Sequence, residues 1–492
     1  MSRRQPVKPD FPRFCRNPGS PCNKKREVFL EASLPPAVQR FATNSGMNAT
    51  GNNDSLGREL FSFPVAIETR SSRRMSTAHP EPNPLSMIPF GALLLAIAIV
   101  PALPGQRWHR HHGKICAAFA ALTTFYYVFA LRAGSRVLHA GFEYGSFIVV
   151  VGGFFVVAGT IHFRVPGRGT PALNTLFLFA GALLGSLLGT VGASMLLIRP
   201  WIALNRPRFA GFHTAFFIFV VSNIGGVLLP IGPPLLLGYL KGVPFLWTAQ
   251  RCWLPWIVTL GALLIVFYLF DHLNYRRVET RRAALKKWQC AGSLSFLAMG
   301  AMLACLVIAP AGWRELFIAI IAAAAYWFNR LENRQRNEFS FAPLKEIAWI
   351  FLGIFGTMIP VLDYMERHAG DLGVRSDFQF YWTTGALSAV LDNAPAYLTF
   401  FAGALGLQGL RIEDARQVAV FVAQHDHSLI AISLGATFFG ALSYIGNGPN
   451  LLVKAIADEA GIQTPGFFGY IFKFALPILL PILALVSFLF FR

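Results

Sequence analysis

Long apolar runs recur from about residue 85 to the end of this chain, and they limit what it can become. Many are roughly 15 to 25 residues long, close to the ~20 helical residues that cross a hydrocarbon core about 30 Å thick. One aqueous core cannot absorb so many. The chain therefore reads as an all-α, polytopic membrane protein. Composition agrees: 54% of residues are hydrophobic and 14% charged, where a soluble domain carries about 25% charged residues. This balance excludes an ordinary soluble enzyme, a disordered protein and a coiled coil.

The expected spans cover residues 85–103, 115–131, 144–161, 172–188, 254–270, 294–308, 316–327, 347–362, 382–401, 418–439 and 467–491. A broken apolar region follows at 190–198, and another span starts near Gly211 and dissolves after Ile224. The total is about 11–13 segments, with hairpins counted loosely. Net charge is +19, from 43 basic and 24 acidic residues. Basic loops between apolar spans are the usual product of the positive-inside bias, so nucleic acid is not an expected partner. The strongest basic loop, Asp271–Lys287, holds Arg276, Arg277, Arg281, Arg282, Lys286 and Lys287 and is placed in the cytoplasm. The Arg107–Lys114 loop joins it there if one intervening segment is re-entrant.

Residues 1–84 differ from the rest, being rich in Pro, Asn, Ser and Arg without sustained periodicity. They read as a disordered tail, in which Glu59–Ile67 forms a transient strand or an interfacial segment at most. The alternative is that the chain properly starts at Met75. Six cysteines, at 15, 22, 116, 252, 290 and 305, are scattered without zinc-site spacing. No resident cofactor is expected.

Four apolar regions are interrupted by small or polar residues. Broken helices at membrane depth are tolerated only inside protein or against a cavity. The first region, 189–200, contains Gly189, Thr190, Gly192 and Ser194; its plainer alternative is small-residue helix packing. The second, 222–234, contains Asn223, Gly225, Gly226, Pro230, Gly232 and Pro233 and cannot sustain a regular helix. The third, 391–397, places Asp392 and Asn393 before Pro395 inside an apolar run, where a charge implies an ion path, a buried network or a helix cap. The fourth, 440–450, gathers Ser443, Gly446, Asn447, Gly448, Pro449 and Asn450. A loop at the membrane edge is the plainer alternative for the second and fourth. Two breaks precede the basic loop and two follow it. Paired discontinuous segments in corresponding halves point to a secondary transporter with its site at the repeat interface. No P-loop lysine and no TVGYG-type filter accompanies them.

At these breaks the sequence resembles the ion transporter superfamily. That group includes citrate–metal transporters, the arsenite pump membrane subunit, divalent anion–sodium symporters and NhaD-type sodium/proton antiporters. Within it the sequence resembles the citrate-transport branch, whose members are often labelled sodium:proton antiporters. The residues that carry this are Ser222–Gly226 with Pro230–Pro234, Leu391–Pro395 and Tyr444–Ala455. The resemblance covers about residues 85–492. It implies two inverted repeats, each with scaffold helices, a re-entrant hairpin and a broken helix. The domains expected are a first repeat over 85–270, a basic linker over 271–290 and a second repeat over 291–492. Hairpin tips are expected near Thr190–Ser194 and at Asp392–Pro395, and helix breaks at Gly225–Pro234 and Gly446–Asn450. Many relatives are homodimers, which the resemblance extends to this chain. The symporters' tips carry Ser-Asn-Thr motifs, whereas this chain has Gly189–Gly192 and Asp392–Ala394, a departure from dicarboxylate chemistry.

Two transport chemistries compete, both in a bacterial-type inner membrane. The first is sodium or other cation exchange for protons. It draws on Asp392 with Asn393 and Asn447 as candidate sodium ligands, and on His425 and His427, beside Asp426, as candidate pH sensors. The plainer alternative for these histidines is a polar loop entry. The second is transport of citrate or another carboxylate or oxyanion, drawing on the helix N-termini at the breaks. A non-transport membrane protein is the third reading. No H-E-x-x-H or G-x-S-x-G motif makes it an enzyme.

Overall fold

The computed structural model describes residues 82–99, 107–164, 169–277, 289–328 and 340–492. The expectations for the N-terminal tail, including Met75, Cys15 and Cys22, and for most of the 271–290 linker lie outside these residues. The described helices are α1 Ile88–Ile99, α2 Arg107–Phe125, α3 Gly134–Gly159, α4 Pro171–Asn205, α5 Gly211–Val220, α6 Pro233–Leu240 and α7 Trp247–Arg277. Next come α8 Ser293–Ile308, α9 Trp313–Phe328, α10 Ala342–His368, α11 Asp377–Val390, α12 Asn393–Leu407 and α13 Ala415–Gln424. The last are α14 Asp426–Phe439, α15 Gly448–Glu459, α16 Phe467–Tyr470, which widens into a π-helix over Ile471–Leu479, and α17 Leu480–Phe490. A three-residue antiparallel ribbon, β1 His162–Arg164 with β2 Gln289–Ala291, is the one departure from all-α structure among the described residues.

Length and apolarity alone allow α4 to cross a membrane as one rod. It folds back instead. Gly189 has φ 71° and ψ 155°, a backbone setting open to glycine and strained for other residues. On either side the arms run antiparallel. Asn174 Nδ2 donates to Asn205 Oδ1 at 2.7 Å, Phe177 stacks on Trp201 with centroids 5.3 Å apart, and a Cβ on Gly181 would lie 3.2 Å from Leu197. The tip is therefore Gly189 itself. Residues Thr190–Ser194, expected at the tip, form the first turn of the returning arm. Gly192 stays helical and packs near Ala158 and Leu188.

The run expected as one span over 382–401 is also two helices. Extended Leu391 (φ −119°, ψ 168°) and Asp392 (φ −60°, ψ 145°) separate α11 from α12. Ser376 and Gln379 cap the start of α11 reciprocally, and Asp392 caps α12. Both outer ends of this pair sit beside the C-terminal end of α10. Gly406 packs on the Glu366 backbone, and α11 begins just past the 3-10 turn that follows His368.

Helix α7 fixes the sense of the two hairpins. Near its start Arg251 pairs with Asp426 at 3.4 Å, and Asp377 at the base of the α11–α12 pair accepts from Ser428 Oγ at 2.6 Å. Toward its end Asp271 accepts from Asn174 Nδ2 at 2.8 Å, at the base of the α4 hairpin. The two hairpins thus open at opposite ends of α7. Residues Arg107–Lys114, expected as a loop, are instead the first two turns of α2, and Asp271–Arg277 of the expected Asp271–Lys287 loop are the last turns of α7.

Helix partners recur in both halves. α2 packs on α10 as α9 packs on α3, and α1 on α2 as α8 on α9. The α4 hairpin packs on α15, while α12 packs on α6. Helices α3 and α10, and α7 and α17, meet across the halves. The periphery exposes large apolar side chains such as Leu122, Phe125, Phe129, Leu269 and Trp327. Water would penalise such a surface, and lipid does not.

Candidate transport site

The two broken helices touch at their breaks. After α5 the chain unwinds through Val221–Asn223, makes a short 3-10 turn at Ile224–Val227, and restarts as α6 behind Gly232, with Pro233 in its first turn. After α14 it makes a 3-10 turn at Gly440–Leu442 and restarts as α15 behind Asn447, with Gly448 and Pro449 in the first turn. Proline suits this place because the first N–H groups of a helix lack intrahelical acceptors. Pro230 lies in the first break and Pro395 in the first turn of α12.

Three amides bridge the halves. Asn223 Nδ2 donates to Asn450 Oδ1 at 2.8 Å and to the Ile218 carbonyl at 2.9 Å. Asn447 Nδ2 donates to Asn223 Oδ1 at 3.0 Å and to the Ser222 carbonyl at 2.9 Å. Asn450 Nδ2 donates to the carbonyls of Gly440 and Ser443, both at 2.8 Å. All three side chains are buried. They saturate carbonyls freed by unwinding, since an unmade buried bond costs about 1–3 kcal/mol.

The hairpin tips reach the same breaks. Beside Gly189 stands Ile231, whose carbonyl oxygen lies 3.4 Å from where a Gly189 Cβ would be. At the other tip Asp392 Oδ1 accepts from Ala394 N–H at 3.1 Å, and the Gly448 N–H in the first turn of α15 stands close to the same carboxylate. Asp392 thus sits where the N-termini of α12 and α15 converge, and it is half-buried. Asn393 turns away from it. Its side-chain NH2 faces Ser388 Oγ (2.7 Å), the Ala436 carbonyl (3.1 Å) and the Gly446 carbonyl (2.6 Å). Ser443 Oγ donates to the Ala389 carbonyl at 2.6 Å and accepts from Gly446 N–H at 3.0 Å. In the first half Ser194 and Ser222 share a 2.8 Å bond, and Gly226 leaves room for the Thr190 methyl. Thr190 Oγ1 is buried without a hydrogen-bond partner.

The three residues named as sodium ligands are neighbours in the fold but belong to different hydrogen-bond sets. His425 and His427 are not at this site. They lie where α13 and α14 meet at a bend of 100°, and the rest of α14, Ser428–Phe439, separates them from the break. His425 stacks on Phe421 with centroids 5.3 Å apart.

The sequence reading missed a buried charge network at the membrane face where the α11–α12 hairpin opens. Arg136 on α3 bonds the Asp363 carboxylate on α10, which also accepts from Tyr127 Oη at 3.0 Å. Arg136 lies 3.1 Å from Glu413, in the loop after α12. Lys241, just past α6, bridges Glu143 (2.8 Å) and Glu413 (2.7 Å), and His139 lies 3.0 Å from Glu413. Burial works against the Glu413 charge, yet Lys241, His139 and Arg136 hold its carboxyl well below the usual range. His139, Glu143 and Glu413 are close enough to ligate a metal. The Lys241 ammonium already bridges the two carboxylates, so the cluster reads as ion pairs. It joins α3 and α10 to the ends of α6 and α12. At the opposite face Arg208, Asp271, His213 and Asn174 form a second buried cluster. There His213 Nδ1 accepts from Ala210 N–H, so its Nε2 proton points at Asp271, 3.1 Å away. The signal for both clusters was charge inside or just beside apolar helices, which is costly unless paired.

Two broken helices bridged by buried amides, with a hairpin tip at each break, make this a transporter-like core. The family model described as "Putative citrate transport" matches residues 81–491. The chain belongs to this family. Membership makes it a multi-pass membrane protein of a transporter family rather than an enzyme. Among curated proteins nothing matches. The citrate-transport resemblance read at Ser222–Gly226, Leu391–Pro395 and Tyr444–Ala455 is thereby supported over almost all of the described chain.

Proposed function

We propose that this protein is a secondary active transporter of a bacterial-type inner membrane, built from inverted repeats over residues 85–270 and 291–492. In this reading it exchanges sodium or another cation for protons at Asp392. The carrying observation is the carboxylate at the convergence of α12 and α15, beside the Asn223–Asn447–Asn450 bridge. Opposite-facing hairpins and matching helix partners in the two halves support the repeat. A carboxylate in low-dielectric surroundings needs a cation, hydrogen-bond donors or a proton to match it. Cation and proton then compete for one group on alternate faces, which is the physical basis of exchange. Asn is also a good cap, so Asp392→Asn should retain the fold. In proteoliposomes this variant is expected to lose sodium-dependent dequenching of a pH dye. Near-normal exchange by Asp392→Asn would remove the residue from the mechanism.

A second reading, carboxylate transport, is favoured by the first tip. There the Thr190 hydroxyl is buried and unpartnered, and the returning arm of α4 starts beside Ile231, just ahead of α6, without an acid among these residues. Labelled citrate uptake by the same vesicles, without a sodium-driven proton signal, selects that reading.

A further inference from the structure

A groove of about 520 Å3 lies between the starts of two apolar spans, one in α2 and one in α10, away from the candidate transport site. Its lining includes His112, Lys114 and Ala117 of α2 and Lys345, Glu346 and Trp349 of α10. Gly113 lets the helices close up here: a Cβ on it would lie 3.0 Å from the Trp349 ring. Both lysines are exposed, and among the described residues neither has an ion-pair partner. Two ammonium groups against the single Glu346 carboxylate leave the lining net positive, and an anion between the lysines lowers their mutual repulsion.

The rest of α2 identifies the anion's source. Lys114 heads a stripe that continues through Ala118, Leu122 and Phe125 of α2 to Phe129 of the π-helical turn Tyr126–Ala130 that extends it. Leu122, Phe125 and Phe129 are 58%, 63% and 67% exposed. Hydrocarbon is the environment that stripe fits. Lys114 and Lys345 both sit in the first turns of spans, His111–Ala130 and Ala342–Leu372, which is headgroup depth. Trp349 lies one turn deeper, where indoles anchor at membrane interfaces. A free phosphate would engage the lysines but not the lipid-facing stripe beside them. A phospholipid uses both.

We propose that the Lys114–Lys345 groove is a binding site for the phosphate of an anionic phospholipid, whose acyl chains run along the Leu122–Phe125–Phe129 stripe. The site is independent of the transported substrate. Its test is titration of purified protein in detergent with phosphatidylglycerol, phosphatidylcholine or inorganic phosphate, read by native mass spectrometry and by the unfolding temperature. Phosphatidylglycerol is expected to bind and raise the unfolding temperature, and the other two to do neither. The double variant Lys114→Gln, Lys345→Gln should bind phosphatidylglycerol about 30-fold more weakly, equivalent to about 2 kcal/mol for two lysines. Lys473→Gln, an exposed lysine on another helix, should bind as the wild type does. An unchanged affinity in the double variant overturns the site. Equal stabilisation by inorganic phosphate overturns the lipid in favour of a small-anion site. Equal weakening by Lys473→Gln reduces the effect to general surface charge and also overturns the proposal.

Discussion

The two hairpin tips occupy corresponding places and solve the same problem differently. Each must reverse the chain inside the protein and meet a break in the neighbouring helix. The first does so with one residue, Gly189, whose positive φ lets the arms of α4 fold back directly. The second uses two extended residues, Leu391 and Asp392, with ordinary backbone angles. The first tip leaves the Thr190 hydroxyl unpartnered, whereas the second caps a helix with a carboxylate that accepts from Ala394 N–H. Backbone freedom shapes the first tip and side-chain chemistry the second. Of the two tips, only the second carries an ionisable side chain.

The largest effect should come from cutting what ties the two breaks together. Asn447→Ala leaves the Ser222 carbonyl and Asn223 Oδ1 without its donor, at about 1–3 kcal/mol for each buried group left unsatisfied. Asn393→Ala strips bonds confined to the second half. Both should lower transport in vesicles more than they lower the amount of protein in the membrane, with Asn447→Ala the more severe. Parallel loss of insertion and transport would make these amides structural only, and the functional contrast between the halves would fail.

A smaller effect separates the two turns. Gly189→Ala forces a side chain into the strained setting at φ 71°, for about 1–3 kcal/mol. Leu391→Ala adds no backbone strain. Thermal unfolding in detergent should rank Gly189→Ala as the less stable, and the reverse order would break the account of the first tip.

The smallest expected stability change is at Thr190. Thr190→Val keeps the shape and deletes an unpartnered hydroxyl, so stability should stay level or rise by up to about 1 kcal/mol. Uptake of labelled citrate then sharpens the comparison. Loss of uptake with stability intact assigns the first tip to an anion. Unaltered uptake leaves the second tip as the sole site of chemistry.

Much of the candidate site was legible because its residues are locally abnormal. Asp392 and Asn393 stand out in an apolar run, and the Gly and Pro clusters at 222–234 and 440–450 forbid a continuous helix wherever they lie. The charge network was not legible in this way. Arg136 and Glu143 on α3, Lys241, Asp363 and Glu413 come from four separate places in the chain, and each alone reads as an ordinary residue near a membrane edge. His425 and His427 sit at the α13–α14 bend and not at the break, since closeness in sequence to a span says nothing of depth within it.

The sequence by itself determined that this chain lies in a membrane, roughly where it crosses, and where its helices break. Those properties depend on transfer energy and backbone chemistry, which act residue by residue. Only the tertiary structure decided that α4 turns at Gly189 rather than a few residues later. It also decided that Asn223, Asn447 and Asn450 saturate one another across the halves, and that Lys241 bridges Glu143 and Glu413. Such pairings depend on which distant segments share one desolvated space, and a polar group there takes whichever partner packing brings within about 3 Å.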